Sequence, residues 1–207
     1  MARIAVIRHP ETQANVERRY IAATDSPWTE EGRNQAKALV SFVEKARPDT
    51  VWSSPAPRAL KAAHAATPCA VPLRVVEELQ EIGFGAAEGL TFDEARSLGL
   101  EIRYLPSVPQ AGTATVPEPT GEIAPGGERW EDFLARVRAV RNALIEADRT
   151  VCVFTHGGTG RALVASLLGL PPEAMWAFAL PTGGVAEIAA ERGHATLVRL
   201  FRPRADV

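Results

Sequence analysis

Two short apolar runs near opposite ends of the chain each end in a histidine. The first is Ile4-Ala5-Val6-Ile7-Arg8-His9, followed by Pro10-Glu11-Thr12; the second is Val151-Cys152-Val153-Phe154-Thr155-His156, followed by Gly157-Gly158. Uninterrupted runs rich in β-branched residues and closed by a turn suit strands covered on both faces, which is the situation in parallel sheets. In open α/β sheets, ligands sit in the crevice beyond the carboxyl ends of the strands. Two such strands bring His9 and His156 to one rim, with Arg8 beside the first.

The segments between them alternate. Thr29-Glu30-Glu31 opens an amphipathic helix to about residue 45, with Ala36, Leu39, Val40 and Val43 at helical spacing and Thr29 as N-cap. Residues 49–54 read as a strand, 57–66 as an alanine-rich helix and 73–76 as a short strand. Residues 128–146 form a long helix with Trp130, Phe133, Leu134, Val137, Val140 and Leu144 on one face. A strand at 150–155, a helix at 159–168 and an edge hairpin at 185–189 and 195–200 complete the pattern. The alternation predicts an α/β, three-layer sandwich, with a mostly parallel central sheet flanked by helices, in a single domain over 1–207. Residues 99–126 interrupt it with Pro106, Pro109, Pro117, Pro119 and Pro125. Loops of that length are uncommon in compact domains and are often lids. The segment reads either as a surface excursion or as a Pro-rich cap over the site that selects the substrate.

Bulk properties leave room for a site at that rim. A chain of 207 residues can bury a sizeable core. A hydrophobic content of 46% and a net charge of -2 argue against disorder and against a nucleic-acid partner. Cys69 and Cys152 provide neither zinc spacing nor a disulfide framework. No stretch has the length and apolarity of a membrane span, and Arg8-His9 comes too early for a signal peptide, so a cytoplasmic location is the expectation. The edge hairpin offers a pairing edge for a homodimer.

Further residues join the two histidines. Ser53-Ser54-Pro55-Ala56-Pro57-Arg58 places Arg58 near a helix start at the same rim, where a planar fork of donors and free backbone amides suit a phosphate. The stretch Leu79-Gln80-Glu81-Ile82-Gly83-Phe84-Gly85 through Glu88-Gly89 has glycines that permit close approach to a ligand and an acid able to serve as proton donor.

Arg8-His9, Ser53-Ser54-Pro55 with Arg58, Glu81 before Phe84-Gly85 and Glu88-Gly89, Pro125-Gly126-Gly127-Glu128, and Thr155-His156-Gly157-Gly158 follow one another in that order. This set resembles the histidine phosphatase, or phosphoglycerate-mutase-like, superfamily, and within it the small bacterial α-ribazole-phosphatase-like enzymes. The likeness covers about residues 1–90 and 125–190. It implies that His9 is the nucleophile that becomes phosphorylated, that Arg8, Arg58, Asn15 and the Gly157 N–H bind phosphate, that His156 donates to the transferring group, and that Glu81 is the general acid. It implies a small phosphomonoester as substrate, without metal or cofactor.

The chemistry accounts for these residue types. Phosphoryl transfer is largely positioning and electrostatic stabilisation, which two arginines and a cationic histidine supply. A histidine nucleophile needs one neutral nitrogen, with the other donating to a carbonyl or carboxylate. The leaving alkoxide needs a proton, so Glu81 is expected to have a raised pKa, from burial or from the bound dianion, and activity to peak at mildly acidic to neutral pH.

The chain departs from the family pattern at Pro10, which stands where glycine is usual and removes a backbone N–H. Ile21 and Ala22 make the pocket wall more apolar, and Ala62 replaces a usual threonine. Among weaker candidates, Arg19 is placed to meet a second anionic group, Thr12 to orient His9, and Trp28 to border the pocket. Arg136, Arg138 and Arg141 read as an exposed helix face, His64 as a structural or surface residue, and His194 as solvated. Three rivals remain: a mutase, disfavoured because residues 91–125 hold only Arg96 and Arg103; a metallohydrolase, for which no short His spacing exists; and a non-hydrolytic phosphate binder created by Pro10.

Overall fold

The computed structural model describes residues 2–103, 120–191 and 193–204. Six strands form one sheet in the order β3-β2-β4-β1-β5-β6. They are β1 (Ala2–Arg8), β2 (Thr50–Ser53), β3 (Leu73–Val75), β4 (Thr150–Thr155), β5 (Val185–Glu191) and β6 (His194–Phe201). The first four are parallel, and β5 and β6 add an antiparallel edge. Helices α1 (Gln13–Val16), α2 (Glu30–Ala46), α3 (Pro57–Ala66), α4 (Phe92–Ser97), α5 (Trp130–Ala147) and α6 (Gly157–Leu167) fill the connections.

Strand alternation explains why β1 reads as an unbroken apolar run. Ile4 and Val6 join Phe133, Val137 and Leu163 of α5 and α6 in one core, and Ala5 and Ile7 join Leu39, Val43 and Ala63 of α2 and α3 in another. Side chains of period two on a sheet covered on both faces give apolar residues at every position. The predicted three-layer architecture is therefore present, with helix and strand positions shifted by only a few residues. Thr29 caps α2 by accepting from the Gly32 N–H at 2.9 Å. Pro57 opens α3, where a missing N–H has no cost.

Helix α4 was not anticipated, although Thr91 and Glu94 form a reciprocal capping box that the sequence displays. Of the 99–126 excursion, residues 104–119 lie outside the described residues, and with them most of the expected cap. Its two ends meet: the Arg103 N–H donates to the Ile123 carbonyl at 2.7 Å, and the Trp130 indole N–H to the Arg103 carbonyl at 3.0 Å.

The topology opens a crevice. Arg8 pairs with Thr155, so β1 and β4 end side by side. The chain leaves β1 toward α2 on one face and leaves β4 into α6 on the other. Adjacent strands whose connections diverge to opposite faces create the gap in which α/β sheets bind ligands. Among the described residues, no helix is long and apolar enough to cross a membrane.

Candidate active site

A cavity of about 530 Å³ occupies this crevice. Of the predicted residues, Arg8, His9, Asn15, Arg58, Glu81 and Gly157 line it. His156 is fully buried behind them, its ring edge-on to His9 with centroids 5.3 Å apart. A groove of about 610 Å³ on the α2 side of β1, β4 and β5 contains none of these side chains.

Each ring has one nitrogen engaged. His9 Nδ1 lies 2.7 Å from the Pro10 carbonyl oxygen. A carbonyl only accepts, so Nδ1 carries the proton and Nε2 keeps its lone pair. Pro10 thus lacks an N–H but still supplies the acceptor that orients His9. His156 Nε2 lies 2.8 Å from the Ser54 hydroxyl, while its buried Nδ1 has no hydrogen-bond partner. Burial, together with the charges of His156, Arg58 and Arg8, holds His9 well below 6.5. Burial and the charges of Arg58, Arg8 and Arg136 do the same to His156. Both rings are therefore held neutral near pH 7, whereas the sequence led to the expectation of a cationic histidine.

The arginines are anchored on carbonyls. Arg8 donates through Nη1 to Leu180 at 2.9 Å, and its buried Nε has no partner. Burial lowers the Arg8 pKa to about 10, far above any working pH, so the charge persists. Arg58 donates to the carbonyls of Thr24, Ile21 and Ala22, and Glu88 holds the amides of Ala22 and Thr24 in the same loop. The Asn15 carboxamide oxygen accepts from the Thr12 N–H and hydroxyl, which leaves its NH₂ to offer to a ligand. Thr12 therefore braces Asn15 rather than His9.

Glu81 departs from expectation. Its carboxylate accepts the amide protons of Gly158, Thr159 and Ile82, each at 3.0 Å. Burial pushes its pKa up, but these amides and the Arg58 charge outweigh burial and hold it below the usual carboxylate value. Glu81 is therefore an anion docked on the first turn of α6, not a preprotonated acid. The approach requires glycine: a Cβ on Gly158 would lie 2.7 Å from Glu81 Oε1.

Several contributors escaped sequence reading. Arg136 is not on an exposed face: it pairs with Glu128 and donates to the carbonyls of Glu78, Gln80 and Glu81, bracing the acid loop. Its place one turn after core residue Phe133, whose ring it covers at 4.8 Å, was the available signal. Gly85, at φ 50°, lets that loop meet residues 125–127, where a Cβ would lie 2.3 Å from the Gly127 nitrogen. Arg19, which also lines the cavity, is engaged through Nε and Nη1 by Glu17, Glu94 and the Gly89 carbonyl. Trp28 pins α3 by donating to the Arg58 carbonyl at 3.1 Å and does not line the cavity; Trp130 and Trp176 do.

Comparison with known proteins matches residues 4–202 to the histidine phosphatase superfamily, branch 1. The chain belongs to that superfamily. It is 30% identical over 206 residues to the adenosylcobalamin/alpha-ribazole phosphatase of Escherichia coli, covering 98% of this chain and 97% of that one. It is also 30% identical over 207 residues to the 2,3-bisphosphoglycerate-dependent phosphoglycerate mutase of Novosphingobium aromaticivorans, covering 88% and 90%. The structure of the alpha-ribazole phosphatase from Shigella flexneri superposes with a TM-score of 0.77 at 26% identity, covering 98% of this chain and 97% of that one. The relatives of this histidine phosphatase superfamily chain thus include both phosphatases and a mutase.

Proposed function

We propose that this chain hydrolyses a small phosphomonoester through a phosphohistidine on Nε2 of His9, with no metal required. The observation that carries the reading is the 2.7 Å contact from His9 Nδ1 to the Pro10 carbonyl, which leaves a neutral ring with its free nitrogen in an arginine-lined crevice. Arg8 Nε, Arg58, the Asn15 NH₂, the Gly157 N–H and His156 Nδ1 surround the phosphoryl oxygens. Ser54 favours the required His156 tautomer, because its hydroxyl can donate to Nε2 and leave the proton on Nδ1.

Nε2 attacks phosphorus, the ester P–O bond breaks, and the leaving oxygen takes a proton from Glu81. Since Glu81 is ionised beforehand, that proton arrives with the substrate: the second phosphoryl pKa is about 6, and a monoanion brought beside the carboxylate shares it. The Glu81 carboxylate then takes a proton from water, whose oxygen attacks phosphorus and releases neutral His9 and phosphate. The described part of the insert after the acid loop adds no arginine to the cavity, since neither Arg96 nor Arg103 lines it and Arg96 pairs with Asp93 on the surface, which supports hydrolysis over mutase chemistry.

The test is p-nitrophenyl phosphate turnover by the native chain and His9→Ala, with and without chelator, with acid-labile phosphate trapped on the protein. Chelator-insensitive turnover and trapping, both lost in His9→Ala, support the reading. An inactive native chain that still binds vanadate replaces it with phosphate binding alone.

A further inference from the structure

We propose that Arg18 selects substrates carrying a second anionic group beyond the scissile phosphoryl group, an inference that rests on the hydrolytic reading above. The cavity, at about 530 Å³, is larger than a phosphoryl group needs. Arg8, Arg58, Asn15 and Gly157 bound it around His9, whereas Arg18 reaches it from the far end of α1, across a wall that includes Tyr20, Phe84 and Phe92.

Arg18 and Arg19 are neighbours with opposite circumstances. Arg19 is engaged by two carboxylates and a carbonyl. The Arg18 backbone is equally fixed: its N–H donates to Asn15 at 3.2 Å, and its carbonyl accepts from the Phe92 N–H at 3.1 Å. Its exposed side chain, however, makes no hydrogen bond or ion pair with any described residue. The nearby Glu17 is already taken by Arg19 and Gln13. Among the described residues lining the cavity, the only carboxylate is Glu81, which is bonded to backbone amides.

Arg18 also holds a left-handed backbone, φ 55°, just past the C-cap Glu17, where glycine is favoured. That conformation alone marks nothing, since Arg47 and Asp148 share it at the ends of α2 and α5. What separates Arg18 is an uncommitted guanidinium on the cavity wall. A guanidinium fork takes a carboxylate or a phosphate through two parallel bonds. The fitting substrate class is therefore a phosphomonoester whose alcohol portion ends in a carboxylate or a second phosphate.

The experiment compares kcat/KM within two substrate pairs. 3-Phosphoglycerate against glycerol 3-phosphate differs in a carboxylate, and fructose 1,6-bisphosphate against fructose 6-phosphate in a phosphate. Glycine suits the Arg18 backbone, so Arg18→Gly keeps the fold, which its melting temperature verifies. The native chain is expected to favour the more anionic member of one pair by about tenfold or more, as a charge-assisted contact supplies. The pair showing it identifies the group. The preference falls toward unity in Arg18→Gly and partly returns in Arg18→Lys. No preference in either pair, or one unchanged in Arg18→Gly, overturns the proposal. If the native chain turns over none of these esters nor p-nitrophenyl phosphate, the hydrolytic reading falls separately. Calorimetric binding of the same pairs then decides, and equal affinities for native and Arg18→Gly overturn the role of Arg18.

Discussion

Glu88 and Arg58 grip one loop by opposite polarities. The Glu88 carboxylate accepts the N–H of Ala22 and Thr24 and the Thr24 hydroxyl, while the Arg58 guanidinium donates to the carbonyls of Ile21, Ala22 and Thr24. Loop 21–24 is therefore the part through which Glu88 positions a cavity arginine without lining the cavity itself. Glu88→Ala is expected to raise KM for p-nitrophenyl phosphate about tenfold, with a smaller change in kcat, as Arg58 loses its fixed acceptors. Glu88→Gln, which keeps an acceptor oxygen, recovers most of the loss. Equal losses in both variants would show that the charge, not the hydrogen bonding, is what Arg58 needs.

Gly158→Ala probes the docked acid. The added Cβ would lie 2.6 Å from Ile82 Cδ1 and 2.7 Å from Glu81 Oε1, so these side-chain ends have to shift and the carboxylate leaves its docked position. Turnover of an ester with a poor leaving group, such as glycerol phosphate, is expected to fall about a hundredfold. That of p-nitrophenyl phosphate, whose leaving group needs a proton less, falls much less. Equal losses would place the defect in phosphate binding instead.

Ser54→Ala removes the hydroxyl 2.8 Å from His156 Nε2 and the acceptor of the Ala56 N–H. With its tautomer no longer set, His156 presents Nδ1–H only part of the time. A drop in kcat of roughly tenfold is expected, with a shift of the His156 ring nitrogen resonances toward the other tautomer. Unchanged resonances would sink this assignment.

Protonation affects stability and activity separately. Burial holds His9 and His156 well below 6.5 in the folded chain, whereas unfolded histidines titrate near that value. The unfolded state therefore binds more protons below pH 6.5, and stability falls as pH drops through that value, by up to ~1.4 kcal/mol per pH unit for each ring. The melting temperature should decline on the acid side of pH 6.5, and His156→Asn should flatten the decline. For activity, ionised Glu81 makes the substrate monoanion the productive form, so kcat/KM should fall above about pH 6. A plateau extending into alkaline pH would remove Glu81 as the acid.

The sequence by itself determined the layers and where most residues of the candidate site lie. Apolar runs such as 4–7 and 151–154 are unbroken only in strands buried on both faces, and residues just after those strands fall at their carboxyl ends whatever the packing details. His9, His156, Arg58 and Glu81 were legible for that reason, and Thr29 and Pro57 marked helix starts through local capping chemistry. Only the tertiary structure decided matters that depend on distant partners. Arg136 became a brace because residues 78–81 pass beside α5. Glu81 became an anion because α6 presents its amides to a residue 77 positions away in sequence. Arg19 is engaged, and Arg18 is not, because Glu94 and Gly89 lie beside the one and not the other. Local pattern fixes which elements form and where their ends point; hydrogen bonds and charge between remote segments fix what each polar side chain is free to do.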